Sequence, residues 1–327
     1  MTEEPRHPSR REIVALAMGA FVVAALPFVG RRRRLFRRSV PAMGTVADVA
    51  VVHADARYAG AAIDAALAEL RRIEQLMTRF APTSDIGRLN AAGLAHPVAV
   101  SADTALVLEA ALGWAAASDG EFDPCLGRVV KLWDVTHRRV PPPPSATARL
   151  AGRRFYRALD VERRPRSCVA RLTDPEAAVD LGGIAKGYGV DRAVGVLRAW
   201  GIRDGLVSAG GDLYALGESA RGDLWRVGIR SPVDATRYVR AIDLTDAAVA
   251  TSGDYCQYFD YRGRRYHHLL DPTTAAPHRS EYHSITVLAP TCMAADAAAT
   301  AAFGMSRAEA DALLRRHAAD ARLVELA

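Results

Sequence analysis

Apolar residues return along this chain with two different periods. Between residues 59 and 77, Ile63, Leu67, Leu70, Ile73 and Met77 recur at steps of three and four, which places them on one face of an amphipathic helix. The same period predicts helices over 104–117, 190–200, 294–303 and 307–317. Gly201 stands where the third would stop, and Ser306 with Glu309 forms a capping box for the last. Short β-branched or alternating runs predict strands over 46–52, 205–208, 225–229, 241–244, 267–270 and 284–288. The prolines at 141–144 interrupt the pattern and read as a surface loop. Strands run between helices without strict alternation and no internal repeat is visible, so the class is α+β, with one domain over 41–327.

A different pattern opens the chain. Ser9-Arg10-Arg11-Glu12-Ile13-Val14 leads into an apolar run from Ile13 to Val29, and Arg31 to Arg38 follows with six more arginines. A basic start before an apolar run is an export signal, and the adjacent arginines resemble a twin-arginine signal. A membrane anchor through residues 13–30 is the other reading, because the run approaches the ~18 residues that span a bilayer. Val40-Pro41-Ala42 is the nearest small-residue cleavage site. Residues 1–40 are therefore expected to place the protein on the periplasmic side of the inner membrane, cleaved or anchored.

Charge sharpens this division. Lys+Arg is 43 and Asp+Glu is 37, a formal charge of +6. Residues 1–40 hold nine arginines and three acids, so the excess sits there and the rest balances at 34 of each. No basic surface is left for phosphate neutralisation, which excludes a nucleic-acid binder. Half of the residues are hydrophobic and 24% charged, as in a globular protein. The four cysteines form no CxxC pair, which removes the usual zinc and redox motifs, and free, mostly buried thiols are expected.

Candidate chemistry lies in a few short strings. Asp180-Leu181-Gly182-Gly183-Ile184-Ala185-Lys186-Gly187-Tyr188-Gly189 runs from a glycine-rich turn into a helix, and such a turn can cradle an anion. Lys186, one of only two lysines, could add a point charge on phosphate, although such turns are often purely structural. Asp296 and Thr300 stand at i and i+4 on one helix face, with alanines between them that leave room for a ligand. Hard oxygens of this kind suit Mg²⁺, although a polar helix face is the commoner meaning of such a pair. His267-His268-Leu269-Leu270-Asp271-Pro272 brings a histidine to a strand end, where it could serve as a general base or simply face solvent.

Each string is weak alone, but their order is specific. Met43-Gly44-Thr45, Ser84 to Asn90, Phe122-Asp123-Pro124, Asp180 to Tyr188, Gly210-Gly211-Asp212, Ser252-Gly253-Asp254-Tyr255, His268 to Pro272 and Asp296 to Thr300 together resemble the ApbE family of FAD:protein FMN transferases. The resemblance runs from Met43 to Phe303. It implies an α+β unit in which helices pack an antiparallel sheet and FAD occupies a central cleft. It further implies that Met43, Phe80, Glu121, Phe122, Asp123, Asp180, Lys186 and Leu270 line the FAD site. Gly183 through its carbonyl, Asp296 and Thr300 would hold Mg²⁺, and His268 would be the general base. The implied reaction moves FMN from FAD to a Thr or Ser hydroxyl of a flavin-carrying subunit of a membrane electron-transfer complex, releasing AMP. Hydrolysis of FAD to FMN and AMP, and a non-catalytic flavin carrier or assembly protein, stay open beside it. The chain departs from the family pattern at Phe80 (often Tyr), Gly87 (often Ser), Cys125 (usually Thr) and Ala275 (usually Gly).

Overall fold

Alternation along the strands decides how the layers stack. The structure is a computed structural model that describes residues 33–327 except residue 235, with the backbone alone of Val14–Met18 and Phe21–Ala25. In chain order the elements are β1 (Val14–Met18), β2 (Phe21–Ala25), β3 (Arg34–Ala42), β4 (Thr45–His53), α1 (Ala56–Met77), α2 (Asp85–Ala92), β5 (Val98–Val100), α3 (Ala102–Ala117), α4 (Gly127–Trp133) and α5 (Pro144–Ala148). They continue with β6 (Leu159–Arg164), β7 (Ser167–Leu172), α6 (Ala185–Ala199), β8 (Gly205–Ala209), β9 (Asp212–Leu216), β10 (Trp225–Arg230), β11 (Tyr238–Leu244), β12 (Ala247–Gly253) and β13 (Tyr258–Tyr261). The chain closes with β14 (Arg264–His267), β15 (Leu270–Asp271), β16 (Ala276–Pro277), β17 (Ser284–Ala289), α7 (Cys292–Ala302), α8 (Arg307–His317) and β18 (Arg322–Leu326).

Seven strands form the central sheet in the order β18-β17-β12-β9-β8-β4-β3, every neighbour antiparallel. Its two faces enter different cores, as a period of two requires. Ala47, Val49, Val51, Val207, Ala209, Ala248, Ala250, Ile285 and Val287 pack under the helices. Ala50, Val52, Leu206, Leu213, Ala215 and Val249 turn the other way, against Trp225, Val227, Ile229 and Leu244 of β10 and β11. The α+β reading with an antiparallel sheet under helices agrees with this arrangement, and the β10–β11 layer on the far face is additional. Burial on both faces is why β4, β8 and β9 read as continuous apolar runs.

Helix starts follow their caps. Asp55 accepts the Arg57 and Tyr58 N–H groups at the head of α1, and Ser84, Ser101 and Thr291 cap α2, α3 and α7 in the same way. Each such cap is worth about 1 kcal/mol. The capping box at Ser306 and Glu309 is formed.

Several expectations change. The helix expected over 190–200 begins at Ala185, so Lys186, Gly187 and Gly189 lie on it and not in the turn; Gly201 follows it at φ +70°. The strand expected over 267–270 is broken between His267 and Leu270. Ser252 and Gly253 end β12, and Asp212 begins β9. Ala297, Ala298 and Ala299, between Asp296 and Thr300, are fully buried and let α7 lie close on its neighbours. Of the cysteines, Cys125 and Cys292 are buried, Cys168 is half-buried and Cys256 is exposed; all are free.

The boundary at residue 40 also moves. β3 pairs with β4 from Arg34 to Ala42, so the folded body extends to residue 33 and carries +4, not zero. Its arginines are stitched down. Arg33 meets Asp204 at 2.7 Å, Arg38 pairs with Asp64, and Arg37 Nε donates at 2.9 Å to Asp48, a carboxylate buried on β4 that Ser39 also serves. The expected export signal or anchor otherwise lies outside the described residues, save for β1 and β2, a hairpin whose second strand pairs with β10. Among the described residues no helix is long and apolar enough to cross a membrane.

Two of the departures from the family pattern have a backbone reading. A Cβ on residue 87 would fall 1.9 Å from the Ala81 carbonyl oxygen, so only glycine fits there. Ala275 sits at φ +50°, fully buried, with its carbonyl taking the Trp133 Nε1–H at 2.8 Å. An L-residue pays about 1–2 kcal/mol in that region. Ala275→Gly is therefore expected to stabilise the protein by about 0.5–1 kcal/mol, after the entropy that glycine adds to the unfolded chain. A rise in the denaturant midpoint at unchanged slope would register it.

Candidate active site

Two helices bring the charged groups together. Lys186 stands in the first turn of α6, and its Nζ lies 3.1 and 3.2 Å from the two carboxylate oxygens of Asp296 on α7, 3.2 Å from the Gly182 carbonyl and 3.0 Å from Asp212 Oδ2 at the start of β9. Asp296 Oδ2 also accepts the Gly187 N–H at 3.0 Å. Asp212 and Asp296 are 2% and 3% exposed, so two buried carboxyl groups share one ammonium. The two carboxylates raise the Lys186 pKa against the effect of burial, so its charge is fixed; burial, with Asp296 beside it, pushes Asp212 up to about 8.

The close fit of α6 on α7 depends on small residues. A Cβ at Gly187 would come within 2.3 Å of the Cys292 carbonyl oxygen, and one at Gly183 would strike the Thr300 side chain at 2.7 Å. Gly183, Asp296 and Thr300, expected as a set, are thus neighbours, and Thr300 Oγ1 lies 3.3 Å from Ser252 Oγ.

A second group faces the loop before α6. Asp180 accepts the Gly182 N–H at 2.9 Å and pairs with Arg79 at 2.7 Å, and that guanidinium lies 4.2 Å from the centre of the Phe80 ring. Phe80 is 80% exposed, an apolar ring offered to solvent. The Asp180 N–H donates to the Pro124 carbonyl, which sets Glu121 to Asp123 beside this loop, and Asn90 clamps Val179 through both its amide groups. Phe122 is buried in the core. Asp123 is spent on the backbone, accepting N–H groups from Cys125 and Tyr156, and burial pushes it up to about 6. Glu121 is held above the ordinary carboxylate range by burial and by Asp271. Its carboxylate, that of Asp271 and the His278 ring bring their ligand atoms within 4.8 Å of one another.

Met43 turns at φ +56° between β3 and β4, and its sulfur packs where Gly189 of α6 has no side chain. Leu270 is buried, paired with Pro277. Its neighbour His268 is half-buried in the gap between β14 and β15. His268 Nδ1 lies 3.3 Å from the Gln257 carbonyl. A carbonyl only accepts, so Nδ1 carries the proton and the Nε2 lone pair is free. Burial, the adjacent His267 and the Lys186 charge push His268 down to about 4, against the pull of the Gln257 bond.

Three residues at the site escaped the sequence reading. Asp212, Ser252 and Asn90 were visible only as motif letters without a role. Their signal was position: each is the first or last residue of a string already singled out.

The sequence profile of the ApbE family matches residues 43–323. The FAD:protein FMN transferase of Treponema pallidum is 33% identical over 308 residues, covering 88% of this chain and 83% of that protein. The protein of the same name from Vibrio cholerae is 33% identical over 284 residues, covering 84% of each. Among solved structures, the flavin transferase ApbE from Vibrio cholerae superposes with a TM-score of 0.75 at 31% identity, covering 87% of this chain and 91% of that one. The ApbE protein from Thermotoga maritima gives 0.79 at 29% identity, with 89% and 93% covered. A profile match over most of the length, relatives a third identical and the same fold agree: the chain belongs to the ApbE family.

Proposed function

We propose that this protein is an Mg²⁺-dependent FAD:protein FMN transferase that attaches FMN, through a phosphoester bond, to a Thr or Ser hydroxyl of a partner protein. The observation that carries the reading is the Lys186–Asp296–Asp212 cluster with Gly183 and Thr300 at its edge and a neutral histidine within reach of the Lys186 charge. The curated relatives bear that enzyme name.

The donors suit the cation. Asp296, Thr300 Oγ1 and the Gly183 carbonyl are hard oxygens of the kind a small divalent ion takes. When bound, Mg²⁺ would draw charge from the diphosphate of FAD and lower the barrier to attack. The rest falls to the chain. Phe80 offers a ring face on which the flat flavin can stack. Lys186 would present its fixed charge to the diphosphate. His268 Nε2 would take the proton from the acceptor hydroxyl. The oxygen then attacks the FMN-side phosphorus, and AMP leaves. Positioning and electrostatics carry such transfers.

His268 sets the pH dependence. As a base it works only when neutral, and its pKa of about 4 lies below the ordinary 6.5. The acid limb of kcat/KM is expected near pH 4, with a plateau through about pH 5–7; a limb near 6.5 would mean that burial does not shift His268.

The acceptor we infer is a flavin-carrying subunit of a membrane electron-transfer complex, met on the periplasmic side, to which residues 1–32 would direct the protein. The full chain incubated with FAD, Mg²⁺ and such a subunit should produce flavin fluorescence that survives denaturing electrophoresis, with one AMP released per label and none in EDTA. AMP released without label would make the protein a diphosphatase. Intact FAD after prolonged incubation would make it a carrier.

A further inference from the structure

Asp191 belongs to no catalytic string. It lies on α6, five residues beyond Lys186, and its carboxylate reaches across to the neighbouring helix. Oδ1 accepts the Cys292 N–H at 2.7 Å and Oδ2 accepts the Met293 N–H at 2.9 Å. These are the first two amides of α7, the helix that carries Asp296 and Thr300. A helix start leaves its first N–H groups unpaired and bears partial positive charge, so a carboxylate held there is strongly bound.

α7 already has a cap of its own. Thr291 accepts the Ala294 N–H at 3.3 Å, which is the usual way a helix begins. The Asp191 bonds are of another kind, because they join α7 to a second helix. α6 also holds Asp296 itself, through the Gly187 N–H and Lys186. The two helices are thus pinned at two levels: at the start of α7, and one turn along at the proposed cation ligand. Burial pushes Asp191 up to about 6 against its two amide bonds, and the Asp296 charge adds to the rise, so the two carboxylates feel one another.

We propose that Asp191 is a positioning residue for the cation site, fixing the depth and rotation of α7 so that Asp296 and Thr300 meet Gly183 and Lys186. This rests on the Mg²⁺ reading given under Proposed function. Asp191 touches no reacting atom; it acts through the backbone of α7. Partners behind a metal ligand commonly govern affinity by about 10–100-fold.

Mn²⁺ binding to the full chain without FAD, followed by electron paramagnetic resonance, tests this apart from turnover. Asp191→Asn keeps the shape but can accept only one of the two amides. It is expected to bind Mn²⁺ at least about tenfold more weakly than the parent. Thr291→Ala weakens the same helix end without touching the α6 tie, and is expected to keep the parent affinity. Unchanged affinity in Asp191→Asn overturns the proposal, and so does an equal loss in both variants, which would mean helix stability alone. If Asp191→Asn does not fold, Asp191→Glu carries the test: it keeps the charge on a longer arm, should lower affinity measurably, and overturns the proposal if it does not. A parent protein that binds no Mn²⁺ overturns the cation site itself, and this inference with it.

Discussion

Asp296→Asn is expected to cut flavin transfer at least about a thousandfold while the fold survives. The asparagine is isosteric and its oxygen can still take the Gly187 N–H that Asp296 Oδ2 accepts at 3.0 Å. What it lacks is charge. Lys186 would then keep Asp212 and the Gly182 carbonyl, and the cation would lose the only carboxylate among its three proposed ligands. Loss of charge stabilisation at a metal-assisted phosphoryl centre is worth several kcal/mol, and about 4 kcal/mol is a thousandfold in rate. Initial rates of label formation at saturating Mg²⁺, with unfolding curves alongside, check both halves. A folded variant within tenfold of the parent would remove Asp296 from the cation site.

His268→Ala should separate chemistry from binding. A positioned general base contributes about 10²–10⁴ in rate, and transfer is expected to fall by that factor. FAD affinity should shift by less than about threefold, because the ring's hydrogen bond among the described residues runs from its far nitrogen, Nδ1, to the Gln257 carbonyl. Flavin fluorescence titration gives the affinity and single-turnover labelling gives the rate. Equal losses in the two would make His268 a structural histidine, holding the gap between β14 and β15.

How much of this was legible beforehand differs by element. α1 was readable because one face of a long helix is buried and the other is not. β9 and β12 were harder, since Leu213 to Leu216 and Ala247 to Ala250 are buried or nearly so on both faces and leave no polar alternation to read. β3 was hidden for another reason. Its arginines look like an address tag, and only the pairing partner shows that Arg37 serves a carboxylate buried 11 positions away on β4. In the site, Lys186, Gly183, Asp296 and Thr300 were expected together, and the structure brings them together. Asp212 was not, because nothing local distinguishes a strand's first carboxylate from a turn residue; its role exists only once Lys186 has been placed against it. Asp123 illustrates the reverse. Its letter belongs to a flavin motif, yet both oxygens are occupied by backbone amides, so its contribution to the site is the shape of the loop.

The pairing of β3 also constrains how the chain can be matured. A peptidase cut after Ala42, at the small-residue site nearest the apolar run, would discard all nine residues of an edge strand. The backbone edge of β4 would then lie bare, as a template for another chain. Asp48, 1% exposed, would lose Arg37 and Ser39 together and be left a buried charge without a partner. A cut that keeps β3 on the sheet falls upstream of Arg33, and the arginines of β3 then stay with the folded body.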